Sequence, residues 1–238
     1  NFIKINLIAA AEPFMGYFSA KCNLNDTDCV VKAAEEFIPK FTNGVPALGV
    51  QPSDPLFIKR IDSSNNLLKL ILTDVSITGF KNTIKYFCFR FDESKSTMLL
   101  KLLFTCNLES QYEMSGSLMF LSLEGKGPLH VKLRKMEINL LVDYKEITGE
   151  DGNPHWNFVY RSHTFFLKDR SDVEFENLFN RNELLGTYYI AFAKEVIAQS
   201  GNEIIKEVGP PVIKATIDAV IFRFNKLFKG IPIDETHA

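Results

Sequence analysis

Leu129-His130-Val131-Lys132-Leu133-Arg134-Lys135-Met136-Glu137-Ile138-Asn139-Leu140-Leu141-Val142-Asp143-Tyr144 decides the fold. Apolar side chains alternate at Leu129, Val131 and Leu133, which is the period of a strand with one buried face. The alternation resumes out of phase at Met136, Ile138, Leu140 and Val142. A slip of one residue would turn every later side chain to the wrong face, so the shift predicts a bulge near Arg134–Lys135. Long bulged strands build a strongly curved sheet, able to wrap around something.

Outward from this strand, extended segments fill the chain from about Leu56 to Phe175. Leu68, Leu70 and Leu72 begin one, continued from Thr73 to Phe80 with a bulge expected at Gly79. Ile84–Phe91 and Met98–Leu108 read as a hairpin turning at Ser94–Lys95. Tyr112–Leu123 and Leu129–Tyr144 read as another, across Glu124-Gly125-Lys126-Gly127. Trp156–Leu167 follows the turn signal Gly152-Asn153-Pro154.

Helices flank the strands. Asp26 or Thr27 is placed to cap a helix carrying Val30, Ala34, Phe37, Ile38 and Phe41, closed by Asn43-Gly44. Near the other end, Leu184 to Val208 reads as helix with a weak point at Ser200-Gly201-Asn202. Pro210-Pro211 then opens a helix with the stripe Ile213, Ile217, Val220, Ile221, Phe224, Leu227 and Phe228, stopped by Gly230 and Pro232. Lys214, Asp218, Asn225 and Lys226 lie off that stripe, so the helix packs on the sheet and does not span a membrane. The fold expected is α+β, one domain over residues 1–238: a long curved antiparallel sheet rolled around a long C-terminal helix.

Composition narrows function. The net charge of −2 and scattered basic residues exclude a nucleic-acid footprint. Phe is abundant, 21 against 1 Trp and 7 Tyr, which supplies apolar surface without polar tips. Such an interior is either packed core or the wall of an oily cavity. Cys22 and Cys29 flank a short polar loop and read as a disulfide, since no second pair has zinc-ligand spacing. Cys88 and Cys106 face oppositely on their hairpin, with Cys88 set across from Lys101, and read as free thiols. Asn25-Asp26-Thr27 is a glycosylation sequon as well as a helix cap. Asn1 is followed by an apolar stretch from Ile3 to Ala11, read as the start of a processed chain with a short helix through Pro13–Phe18.

Several signatures recur in order: Cys22…Cys29, Gly44-Val45-Pro46-Ala47-Leu48-Gly49-Val50, Ser53-Asp54-Pro55-Leu56 and Thr78-Gly79-Phe80. Tyr112-Glu113-Met114-Ser115-Gly116, Gly125-Lys126-Gly127-Pro128, Leu178-Phe179-Asn180 and Phe228 to Pro232 complete the series. It resembles the Takeout and juvenile hormone-binding family of insects. The resemblance implies an internal apolar tunnel, secretion into haemolymph or another extracellular fluid, and a juvenile hormone-like terpenoid, fatty acid or other lipid as ligand. Juvenile hormone carriers have a second disulfide whose first cysteine falls near Leu167, where this chain has none, so the likeness is closer to the Takeout branch.

Walls for such a ligand are expected from Phe87, Phe89, Phe91, Leu102, Phe104, Leu118, Phe120, Leu140, Phe158, Tyr160 and Phe165, with Ile213, Ile217, Ile221 and Phe224 from the last helix. Tyr144 and Tyr160 carry hydroxyls able to bond a ligand oxygen. No nucleophile elbow, zinc-protease pair, phosphate loop or dinucleotide fingerprint is present, so the reading is a non-enzymatic monomer without cofactor or metal. A protein receptor is a further candidate partner. The rival readings are a protein-interaction module with a closed core, and a lipid-ester hydrolase.

Overall fold

The computed structural model describes residues 21–23, 26–84, 86–179 and 187–235. Asn25 and the helix expected through Pro13–Phe18 lie outside these residues, and so do the side chains of Phe87, Cys88 and Phe89.

Among the described residues seven antiparallel strands form one sheet: β1 (Leu56–Asp62), β2 (Leu68–Thr78), β3 (Tyr86–Asp92), β4 (Thr97–Leu118), β5 (Leu121–Thr148), β6 (Pro154–Leu167) and β7 (Asp172–Phe175). The hairpin β4–β5 is the spine. On one side, β4 pairs first with β3 and then with β2; on the other, β5 pairs with β7 and then with β6. At about 3.3 Å per residue, a straight strand of 28 residues would be roughly 90 Å long. Its apolar face is covered only because the strand bends.

The bend lies where the alternation changes phase. Phe104 pairs with Met136 and Cys106 with Leu133, so Arg134 and Lys135 together oppose Thr105. Lys135 takes the left-handed conformation, φ 48°, and its N–H donates to Thr105 Oγ1 at 3.3 Å. The neighbouring strands change over at this same level. Between the end of β2 and the start of β3 sits a short helix, α2 (Phe80–Thr83). Its Thr83 hydroxyl donates to Thr105 O at 2.6 Å and accepts from Thr105 N at 3.1 Å, replacing ladder bonds that no strand makes there. Gly79 is therefore the end of β2 and the start of α2, not a bulge. Its φ is 110°, and a Cβ there would lie 2.9 Å from Thr105 O. The bulge in β2 falls earlier, between Thr73 and Ser76, at Asp74 with φ 53°.

A second correction concerns the hairpin turn. β4 runs unbroken to Leu118, and the chain reverses at Met119-Phe120 with φ 56° at Met119. Gly125-Lys126-Gly127 lies inside β5. The glycines are there for a close approach: a Cβ on Gly127 would sit 2.8 Å from Glu176 O, and one on Gly125 would sit 3.1 Å from Asn177 O. The segment after β7 crosses the strand here, with Leu178 bridging to Gly125 and Glu176 N donating to Pro128 O at 3.0 Å.

Helices fill the concave side. α1 (Thr27–Thr42) is capped by the Asp26 carboxylate, which accepts from Cys29 N at 3.0 Å, and the Cys22–Cys29 disulfide closes the loop before it. α3 (Thr187–Gln199) and α4 (Gly201–Val208) break at Ser200, the expected weak point. α5 (Pro210–Phe228) lies against β6 and β1, so the sheet curls around it without closing. Asn225, expected on the outer face of α5, instead binds an edge strand: its amide donates to Phe158 O at 2.7 Å and its carbonyl accepts from Phe158 N at 2.8 Å. The register places Cys88 opposite Lys101, and Cys106 is a buried free thiol whose pKa burial pushes up to about 12.

Gly127→Ala should destabilise the fold by about 1–3 kcal/mol, because the new methyl group meets backbone that cannot swing away. Urea unfolding measures this; a change within about 0.3 kcal/mol would show that the crossing at Glu176 is not tight.

Candidate ligand cavity

Below the bulge level, the concave face encloses a cavity of about 300 Å³, at the lower end of the roughly 300–1,000 Å³ typical of small-molecule sites. Its floor is alternate residues of the spine: Met98, Leu100, Leu102 and Phe104 from β4, and Ile138, Leu140, Val142 and Tyr144 from β5. Phe91, Trp156 and Phe158 close the sides. Ile217, Val220, Ile221, Phe224 and Phe228 descend from α5. Val30, Ala33, Ala34, Phe37, Ile38 and Phe41 of α1 complete the wall, with Phe80 and Ile84. No charged side chain is among the described residues that line it.

Phe224 joins three elements. Its ring lies 6.0 Å and 5.6 Å from Phe37 and Phe41 of α1, 5.1 Å from Phe158 and 4.7 Å from Phe228. Edge-on and tilted contacts of this kind hold rings in fixed orientations and leave the remaining space defined. Tyr144 stands between Phe91 and Trp156, at 5.7 and 5.4 Å. Burial, then the nearby Glu93 and Asp92, raises its pKa, so its hydroxyl stays neutral.

Of the residues expected to line a site, Phe91, Leu102, Phe104, Leu140, Tyr144, Phe158, Ile217, Ile221 and Phe224 meet around this cavity. Ile213 lines a second, smaller cavity of about 70 Å³, between α4, the start of α5 and the other half of the sheet. Leu118 is buried near the hairpin turn and lines neither cavity. Phe120 is in the turn itself and is 66 % exposed, because the chain reverses where the alternation expects another inward residue. Tyr160 and Phe165 are half-buried on β6 beyond the cavity; Lys214 Nζ lies 4.1 Å from the Tyr160 ring centre, and the Tyr160 hydroxyl bonds His163 Nδ1 at 3.0 Å. The side chains of Phe87 and Phe89 lie outside the described residues. What the sequence reading misses is the wall made by α1, Phe80 and Ser53. The α1 stripe has the spacing of a lining, but an ordinary core helix has the same spacing.

At one end of the cavity, behind Phe228, His155 is 1 % exposed. Its Nδ1 lies 2.9 Å from Phe228 O and its Nε2 lies 2.9 Å from Asp151 Oδ1. Both neighbours are acceptors, so this site favours the doubly protonated ring, placed beside the last carbonyls of α5. The Glu150-Asp151-Gly152-Asn153 turn thus holds a histidine. Among the described residues no group of three or more His, Cys, Asp or Glu is arranged to hold a metal, and no helix is long and apolar enough to cross a membrane.

A curved sheet enclosing an uncharged apolar cavity defines a binding protein for an apolar small molecule. A model of the haemolymph juvenile hormone binding protein family matches residues 3–237, and the chain belongs to that family, whose members are binding proteins and not enzymes. The circadian clock-controlled protein daywake of Drosophila melanogaster is 25 % identical over 227 residues, covering 90 % of this chain and 85 % of that one. The juvenile hormone-binding protein of Manduca sexta is 35 % identical over 83 residues, 34 % of this chain and 36 % of that one. The crystal structure of Epiphyas postvittana Takeout 1 superimposes with a TM-score of 0.83 at 25 % identity, covering 91 % of this chain and 98 % of that one.

His155 makes stability depend on pH. Burial alone lowers its pKa, but the bonds to Phe228 O, Asp151 and the Ile231 backbone outweigh burial, and the net shift is above 6.5. The contribution is therefore complete below pH 6.5 and is lost as pH rises through the folded pKa. Asp151, held down to about 2 chiefly by its bond to His155, contributes above pH 3.8 and is lost towards pH 2. His163, lowered by burial and Lys214, acts in the opposite sense, and comparison with a mutant cancels it. The gap in melting temperature between wild type and His155→Gln should narrow from pH 5.5 to pH 8.5; a constant gap would mean that His155 is neutral in the fold.

Proposed function

We propose that the protein is a secreted, monomeric carrier that holds one small hydrophobic molecule between α1, the β4–β5 floor and α5. The ligand class is a juvenile hormone-like terpenoid, a fatty acid or another lipid. The observation that carries this reading is a cavity of about 300 Å³ whose described lining has no charged group. Binding follows from removing ligand surface from water, at about 2.5 kcal/mol for each 100 Å² of apolar area. Phe91, Leu102, Phe104, Leu140, Tyr144, Phe158, Ile217, Ile221 and Phe224 are the residues proposed to touch it. The Cys22–Cys29 disulfide supports an oxidising, extracellular setting, as does membership of the haemolymph juvenile hormone binding protein family.

Native mass spectrometry of the purified protein, followed by organic extraction, tests the carrier reading. A bound apolar molecule in one-to-one ratio is expected, or uptake of a long-chain lipid by protein purified empty. An empty protein that takes up none would favour the protein-interaction reading. Leu102→Trp and Ile221→Trp add bulk to opposite walls of the cavity. Each should weaken lipid binding by at least about tenfold, roughly 1.4 kcal/mol, with the melting temperature within a few degrees of wild type. Unchanged affinity in both would place the ligand elsewhere.

A further inference from the structure

The cavity wall contains few polar side chains, namely Thr42, Ser53, Tyr144, Trp156 and Thr216, and the two threonines are already committed. Thr42 donates its hydroxyl to Pro39 O at 3.1 Å, and Thr216 donates to Val212 O at 2.8 Å. Ser53 differs. It is 2 % exposed, it lines the cavity, and its hydroxyl has no hydrogen-bond partner among the described residues. A buried hydroxyl without a partner is costly to a fold, so such groups are uncommon unless something else satisfies them.

The backbone around Ser53 is held firmly. Ser53 N donates to Thr42 O at 3.0 Å, and Asp54 N donates to the same oxygen at 3.3 Å. The Asp54 carboxylate accepts from Gly79 N at 3.0 Å and from Lys81 N at 2.7 Å, which fastens the loop to α2. The hydroxyl is thus presented from a fixed position at the α1–α2 end of the cavity. A preorganised polar group in an apolar wall orients a ligand at little entropic cost.

We propose that Ser53 is the polar anchor of this cavity, hydrogen-bonding an uncharged oxygen (alcohol, ester, epoxide or carbonyl) on the ligand, and that the cavity rejects ionised carboxylates. Rejection follows from the lining: an ion buried here would meet no opposite charge among the described residues. The proposal rests on the carrier reading and narrows its ligand class to neutral, oxygen-bearing lipids.

The test uses dodecane, 1-dodecanol and dodecanoate as displacers of an apolar fluorescent dye from wild type, Ser53→Ala, Tyr144→Phe and Ser110→Ala. Ser53→Ala should weaken 1-dodecanol about five- to tenfold, the worth of one hydrogen bond, and leave dodecane unchanged. It should melt no lower than wild type, since it removes an unpartnered group. Ser110 has a similar buried, unpartnered hydroxyl outside both cavities, so Ser110→Ala should leave every affinity unchanged. For wild type, dodecanoate affinity should fall roughly tenfold per pH unit above the acid's own pKa, while 1-dodecanol stays constant. Three results would overturn the anchor while leaving the carrier reading intact: equal 1-dodecanol affinity in Ser53→Ala and wild type, a loss that follows Tyr144→Phe instead, or dodecanoate bound at pH 8 as tightly as 1-dodecanol. Failure of all three probes to displace the dye, or of the dye to bind, would overturn both.

Discussion

Everything in this structure depends on the bend in the β4–β5 spine. Two strands of 22 and 28 residues carry an apolar face along most of their length. A flat sheet would leave that face in water, at a cost that grows with its area. The extra residue at Arg134–Lys135 bends the spine, and the flanking strands change over at the same level. The sheet can then cover its own face by curling around α5. A helix cannot fill a trough this wide, because its side chains reach only one stripe of it. Space remains on either side of the level where the strands change: a larger cavity beside α1 and a smaller one beside α4.

The same geometry explains why the cavity is apolar and its described lining uncharged. Strand alternation sends every second residue inward, and along this cavity those residues are Leu, Ile, Val, Met and Phe, with Tyr144 at one end. Polar residues of the spine, such as Lys101, Asn139 and Asp143, fall on the alternate positions. The polar bonds that fix the roll are placed at its edge strand, at its bend and at the end of its helix. Asn225 occupies the free backbone of Phe158, Thr83 that of Thr105, and His155 the end of α5. The first two satisfy strand backbone at the edge and at the bend of an open sheet, and the third adds a donor to a carbonyl at the end of the helix.

How much of this the sequence shows depends on the range of the interaction. The bulge is legible because a strand's period of two makes one inserted residue visible as a phase change. The Cys22–Cys29 bond, the break at Ser200 and the stripe of α5 are legible for similar local reasons. Gly125-Lys126-Gly127 misleads because a glycine pair looks like a turn. Its actual cause, a crossing by residues some 50 positions later, leaves no local trace. Phe120 misleads in the same way, since alternation does not say where a hairpin reverses. The floor of the cavity is largely readable from β4 and β5. The α1 wall and Ser53 are not, because a lining helix and a packed helix have the same pattern, and an unpaired hydroxyl is a property of three-dimensional neighbours.

A crystal structure of the protein loaded with a terminally brominated long-chain lipid tests the central claim most directly, since bromine is located by its anomalous signal. The account predicts a bromine peak and continuous ligand density between Leu102, Leu140 and Ile221. Bromine confined to exposed apolar side chains such as Phe57 or Phe120, with those three walls packed together, would contradict it.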